Sequence, residues 1–182
     1  LIFRAVEDAD LITRVRQGDV EAYNHLVSRW EKRVYNYLLR LTTNPEDSMD
    51  LSQDVFLKAY QNIRKLDDTA RFGPWLFRIA HNEAYSLFRK RKPEADSDDG
   101  TLAEREAAPG ASPELTIAVN AALNRLNPEQ REAVVLKVYQ GFKFDEMAEI
   151  LGCPVSTIKS RLYTALDLMK TELTPTNIRG IR

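Results

Sequence analysis

The chain has 182 residues, 43% hydrophobic and 29% charged, with a net charge of −1. That length holds one large domain or two small ones, and a near-neutral chain is a poor non-specific polyanion binder. One cysteine excludes an internal disulfide framework or cysteine-clustered zinc, and two histidines leave too few imidazoles for a metal site or a Ser–His hydrolase. No metal, cofactor or enzymatic activity is therefore expected. No apolar run approaches the ~18 residues of a membrane span, which predicts a soluble, cytoplasmic protein without membrane insertion of its own.

Seven glycines and eight prolines favour helices over a turn-rich β-sandwich. A short helix is predicted over residues 10–17, stopped by Gly18. Asp19 then caps a long helix carrying Ala22, Tyr23, Leu26, Val27, Trp30, Val34, Leu38 and Leu41 at three- and four-residue steps. Thr42-Thr43-Asn44-Pro45 breaks it. A third helix is expected over 46–63, with Leu51, Val55, Ala59 and Ile63 on one side and Asp50, Gln53, Asp54 and Leu57 on the other. An exposed leucine among acids and an amide suits a partner protein. A loop follows over 64–73, and Pro74 opens a fourth helix reaching about residue 91.

On that fourth helix Trp75, Arg78, Asn82, Tyr85 and Arg89 fall within about 80° of one another, because each step is three or four residues. Leu76, Phe77, Ala80, Ala84, Leu87 and Phe88 take the opposite side. Rings interleaved with cations suit a surface that stacks on unpaired bases and tracks the backbone. The bland alternative is an amphipathic helix whose rings are half-buried at a domain edge.

Charge then changes abruptly. Residues 1–93 carry a net +3, residues 94–112 a net −5, and residues 113–182 a net +1. The middle stretch, PEADSDDGTLAEREAAPGAS with its flanking proline, reads as a flexible acidic linker with at most a short helix over 102–107. The fold expected is thus all-α, two small helical domains (1–93 and 113–182) joined by that linker.

Beyond it, Ser112-Pro113 opens a helix with Leu115, Val119, Ala122 and Leu126, and Asn127-Pro128 opens another that Gly141 ends. Helices over 144–151 and 156–173 then have the anatomy of a helix-turn-helix. Ala148 permits close approach, and Gly152 supplies the turn. Met147, Leu151, Ile158 and Leu162 supply the shared core, and Ser156 is expected to cap the second helix. Its buried stripe reads Ile158, Leu162, Ala165, Leu166 and Met169. Opposite stand Ser156, Thr157, Ser160, Tyr163 and Thr164, flanked by Lys159 and Arg161, hydroxyls and cations suited to base edges and phosphates of a major groove. Lys143 stands where a capping Ser or Thr is wanted, ahead of Glu146.

These faces, in this order, resemble the sigma factors of bacterial RNA polymerase, and most of all the small extracytoplasmic-function (ECF) group. The likeness is carried by DADLITRVRQGDVEAYNHLV, DLSQDVFLKAYQNI, RFGPWLFRIAHNEAYSLFRKRK and LNPEQREAVVLKVYQGFKFDEMAEILGCPVSTIKSRLYTAL. The resemblance implies a promoter-specificity subunit that binds core RNA polymerase and promotes DNA melting. It assigns Asp50, Leu51, Gln53, Asp54, Phe56 and Leu57 to the clamp helices of the largest subunit. It assigns Arg71 and Phe72, with Trp75, Arg78, Asn82, Tyr85 and Arg89, to the minus-ten element, including capture of a flipped non-template base. Ser156 to Thr164, as above, are assigned to the minus-thirty-five duplex. A contact with the polymerase flap and an anti-sigma factor partner are implied likewise. The competing reading is a free-standing helix-turn-helix regulator that binds duplex operators without polymerase.

Overall fold

The computed structural model describes residues 6–91 and 112–174. The acidic stretch, and the short helix considered within it, lie outside the described residues. Among these every regular element is helical, and they gather into two compact units.

The N-terminal unit contains α1 (Asp8–Arg16), α2 (Val20–Thr42), α3 (Pro45–Asn62) and α4 (Phe72–Arg91). Local chemistry sets its helix starts. The Asp19 carboxylate accepts from the Ala22 N–H at 3.0 Å and so satisfies one orphan donor of α2. Asn44 does the same for α3, accepting from Glu46 and Asp47, with Pro45 in the first turn. Between them Thr43 adopts φ +58°, the one non-glycine residue in the left-handed region among those described. The Thr42 and Ser48 hydroxyls, 2.8 Å apart, satisfy the fully buried Ser48 beside this turn.

The core of this unit is aromatic. Tyr37 and Phe77 are fully buried with centroids 5.0 Å apart, and Phe72 meets the edge of Trp30 at 5.7 Å. The Trp30 indole N–H donates to Asp8 at 2.9 Å, so the ring spans from the core to an acid on α1. Gly73 is required by this packing. A Cβ there would lie 2.7 Å from the Trp30 ring.

Helix α4 begins at Phe72, two residues before the predicted start. A single 3-10 turn, Thr69–Arg71, leads into it, nucleated by the Asp68 carboxylate accepting from the Ala70 N–H. Pro74 sits inside the first helical turn, where its missing N–H costs nothing. The segment before it also has structure. Residues Ile63–Lys65 form a 3-10 turn, and the Arg16 guanidinium donates to the carbonyls of Ile63 (3.4 Å) and Leu66.

The C-terminal unit contains α5 (Pro113–Asn124), α6 (Pro128–Val134), α7 (Phe144–Leu151) and α8 (Val155–Glu172). Ser112 caps α5, and Asn127 with Gln130 forms a reciprocal capping box on α6. Residues Val135–Tyr139 continue α6 as a wider π-helical turn, and Gly141 follows at φ +75°. The Arg131 guanidinium donates to the carbonyls of Leu123, Asn124 and Leu126, satisfying acceptors at the end of α5. Leu115 is 48% exposed and not part of the core stripe, which on this side is Ala122, Leu123 and Leu126.

Candidate nucleic-acid interface

Four-residue steps on α3 set one side wet and one side dry. Leu51, Val55 and Ala59 are buried, while Asp50, Gln53, Asp54 and Leu57 are exposed, Leu57 at 57%. Leu51 and Phe56, expected as contact residues, instead face the core at 7% and 9% exposure. The Phe56 carbonyl accepts from the buried Tyr23 hydroxyl, and burial raises the Tyr23 pKa well above its ordinary value. Both residues therefore support the face from beneath. The exposed surface also contains Met49 and Tyr60, which the sequence reading passed over. Met49, Gln53 and Leu57 stand at four-residue steps, a signal that was available.

Helix α4 divides the same way. Leu76, Phe77, Ala80 and Ala84 are buried; Arg78, Asn82 and Arg89 are exposed; Trp75 and Tyr85 are half-buried. Phe72, expected on the DNA-contacting face, is 2% exposed and belongs to the aromatic core. Its backbone begins the helix just where its ring closes against Trp30, which is why it points inward. Arg71, half-buried, ends the preceding 3-10 turn. Tyr85 lies between His81 (4.4 Å) and Phe88 (5.6 Å), a row of rings along the helix.

Beneath this stripe opens a cleft of about 320 Å³, lined among others by Lys58, Lys65, Trp75, Arg78, Asn82 and Glu83. Lys58 pairs with Glu83 at 2.5 Å. At the far end of α4, Arg91 clasps Asp47 through two bonds of 2.5 and 2.8 Å, so this member of the terminal basic run is committed to α3. Neither pair is visible locally, since the partners are 25 and 44 residues apart.

In the C-terminal unit α7, the turn and α8 form the helix-turn-helix. Gly152 takes φ +63°, the left-handed turn position for which glycine is suited. Met147, Ile150, Ile158 and Leu162 are buried; Ile150, not the half-buried Leu151, completes the shared core. Leu166, placed in the buried stripe by the helical wheel, is 38% exposed. Ser156 does not cap α8. The cap position is Pro154, without a side-chain bond, and α8 starts one residue earlier at Val155. Freed from capping, the Ser156 side chain joins the exposed face. Lys143 leaves half a capping box on α7, in which the Glu146 carboxylate accepts the Lys143 N–H at 2.7 Å.

Ser156, Lys159, Ser160, Tyr163 and Thr164 are exposed, and Thr157 and Arg161 half-buried. Arg161 lies 3.8 Å from both the Glu129 carboxylate and the Cys153 sulfur. Lys159 and Lys137 flank the Phe144 ring at 5.3 and 4.8 Å, which fixes the first turn of α7 between two cations. The positive charge of Lys159 and Arg161 is thus partly held by neighbours, a restraint the sequence did not reveal.

The two units correspond to two known modules. A family model described as Sigma-70 region 2 matches residues 26–94, and one described as Sigma-70, region 4 matches residues 116–169. The ECF RNA polymerase sigma-E factor of Haemophilus influenzae is 32% identical, over 92% of this chain and 96% of that protein. The chain belongs to the ECF RNA polymerase sigma factors. It is therefore a non-enzymatic transcription-initiation factor, not a free-standing operator-binding regulator. The ECF sigma factor SigW of Bacillus subtilis is 28% identical over 89% of this chain and 94% of its own. Two solved complexes share the architecture of this sigma factor. The sigma factor RpoE with the anti-sigma factor NepR from Bartonella quintana matches with a TM-score of 0.70, 31% identity, and 84% and 97% coverage of this chain and that one. CnrH with the cytosolic domain of CnrY matches with a TM-score of 0.69, 26% identity, and 91% and 96% coverage. No described helix is long and apolar enough to cross a membrane.

Proposed function

We propose that this sigma factor divides promoter recognition between residues 1–93 and residues 113–182, with the acidic residues 94–112 as the strap between them. The N-terminal domain docks on the clamp helices of core RNA polymerase through Asp50, Gln53, Asp54 and Leu57, an apolar anchor among acids and an amide. Arg71, Trp75, Arg78, Asn82, Tyr85 and Arg89 engage the melted minus-ten strand, stacking on bases and tracking phosphates. The C-terminal domain sets α8 in the major groove of the minus-thirty-five duplex and meets the polymerase flap. Ser156, Thr157, Ser160, Tyr163 and Thr164 offer hydroxyls there, and Lys159 and Arg161 offer charge.

The observation that carries this reading is the cleft beside Trp75. At about 320 Å³ it sits at the small end of ligand pockets, with room for one extruded base. A captured base offsets the few kcal/mol lost in unpairing and unstacking, so melting needs no nucleotide hydrolysis. The similar RpoE–NepR and CnrH–CnrY complexes support an anti-sigma partner for this chain also. Its place of action is the cytoplasm, where core polymerase resides.

Run-off transcription with core polymerase on a genomic fragment library tests the reading. Initiation at a discrete set of start sites is expected. Absence of initiation at any site, with tight binding of the isolated chain to an intact duplex, would overturn it.

A further inference from the structure

The last turn of α4 carries three cations in a row, Arg89, Lys90 and Arg91, where a helix is least secure. Carbonyls of a final turn have no partner within the helix, and helix ends fray first. Arg89 and Arg91 are two residues apart, so at about 100° per residue they leave α4 on nearly opposite sides. Arg91 is turned toward α3, where its two terminal nitrogens donate to the two carboxylate oxygens of Asp47 at 2.5 and 2.8 Å. Arg89 is exposed and continues the stripe of Trp75, Arg78, Asn82 and Tyr85.

Asp47 is a firm anchor. It sits in the first turn of α3, its side chain 14% exposed against 57% for Arg91. Its own N–H donates to the Asn44 side-chain oxygen at 3.1 Å. The neighbouring Ser48 hydroxyl donates to the Asn44 carbonyl at 2.6 Å and lies 2.8 Å from the Thr42 hydroxyl. A planar guanidinium bound at both nitrogens by one carboxylate has little freedom to swing. An acid in the first turn of α3 and a base in the last turn of α4 also each complement their own helix dipole.

We propose that Asp47 is a positioning residue, which acts through Arg91 to hold Arg89 in the strand-tracking stripe. The inference rests on the reading of that stripe as a single-strand surface and goes beyond it by naming what fixes its last cation. Asp47 itself touches no nucleic acid. Clasping Arg91 inward keeps the final turn helical, and the helix then carries Arg89 outward in line with Tyr85. Without the clasp the turn frays, and Arg89 loses its fixed place along the strand.

The test uses holoenzyme assembled from the full chain and core polymerase. The probe is the non-template minus-ten strand of a promoter recovered by run-off transcription. Strand affinity is measured between roughly 50 and 200 mM salt, well below the melting temperature of each variant. Each phosphate neutralised on a single strand adds about 0.7 to the slope of log affinity against log salt. Asp47→Asn and Arg91→Met are each expected to weaken strand binding about three- to tenfold, with a slope shallower by up to about 0.7. In an Arg89→Met background, Asp47→Asn is expected to change affinity by less than about twofold, because the residue it positions is gone. Core-polymerase binding is expected to stay as in the wild type. A merely structural role would weaken core and strand binding together, and that result overturns the proposal. A steeper slope for Asp47→Asn would show that the clasp withholds Arg91 from phosphate, which also overturns it. So would unchanged strand affinity in Asp47→Asn, or an undiminished effect in the Arg89→Met background. Failure of the wild-type holoenzyme to initiate, or to bind that strand, is a different result, which overturns the reading of the stripe and this inference with it.

Discussion

Rings fill the N-terminal unit, where Tyr37, Phe72 and Phe77 are buried against the edge of Trp30. Aliphatic side chains fill the C-terminal unit, where Leu123, Leu136, Met147, Ile150 and Ile158 are buried. The functional helices differ accordingly. Helix α4 is pinned to α3 by Lys58–Glu83 and Arg91–Asp47, and its exposed stripe is itself partly aromatic. Helix α8 follows a glycine turn, shares a core of small contact with α7, and presents hydroxyls. A large planar core fixes the azimuth of α4, because rings interlock edge to face and resist rotation. On the reading proposed above, α4 holds bases out of a stack and gains from that rigidity, whereas α8 enters a preformed groove and needs only a compact support.

The largest test of this contrast is a pair of truncations. Phe77→Ala is expected to cost the N-terminal unit about 3–5 kcal/mol, and Met147→Ala the C-terminal unit about 2–5 kcal/mol. Thermal unfolding followed by near-ultraviolet circular dichroism for the aromatic core, and by amide exchange for each unit, reads them separately. Loss of protection in both units from either variant would abolish the distinction.

Next comes docking. Leu57→Arg places a charge at the exposed apolar anchor of α3 and is expected to cost at least about 2 kcal/mol in core-polymerase binding. Pull-down with core enzyme measures it. Leu57 is exposed, so amide exchange should remain as in the wild type, and unchanged binding would remove α3 as the docking face.

A smaller pair of substitutions separates the two DNA surfaces. Trp75→Ala is expected to lose about 1–3 kcal/mol in binding a melted minus-ten strand. Arg161→Ala is expected to lose about 1–3 kcal/mol on the upstream duplex if it touches a base edge. Mobility shifts of holoenzyme on forked and fully duplex templates assign each loss. Because Glu129 lies 3.8 Å from Arg161, Glu129→Ala should change duplex binding by less than about 1 kcal/mol.

The smallest effect is on acid stability. Accepting the Ala22 N–H and pairing with Arg14 hold the Asp19 carboxyl below its ordinary 3.8. A depressed native pKa gives stability that is fully present above the unfolded value and lost as pH falls through the native one. The melting-temperature gap between wild type and Asp19→Ala should therefore be constant near neutrality and close below about pH 3.8. A gap independent of pH would show that the charge has no part in the cap.

Much of this was legible in single residues. Asp19, Asn44, Ser112 and Asn127 announce helix starts because a short polar side chain reaches its own backbone three residues on. Gly152 marks the helix-turn-helix for an equally local reason. Leu51 is instructive: four-residue spacing placed it on the dry side, the family pattern placed it among contacts, and burial sides with the spacing. Phe56, inside α3, and Phe72, at the start of α4, misled because an aromatic side chain on a helix looks the same in sequence whether it anchors a partner or closes a core. Ser156 misled because Pro154 had already supplied an extended residue before the first helical turn.

The amino-acid sequence by itself determined the helical elements, the reading motif, the aromatic–basic stripe and the family. Each depends on neighbours within about four residues or on the pattern of such groups along the chain. Tertiary structure alone decided which ring of Phe72, Trp75 and Phe77 stays wet, where the cleft opens, and that Lys58, Arg91 and Arg16 are tethered. Those outcomes depend on groups 25 to 50 residues apart meeting within a few ångströms, and helical periodicity carries no information about which distant helix will lie alongside.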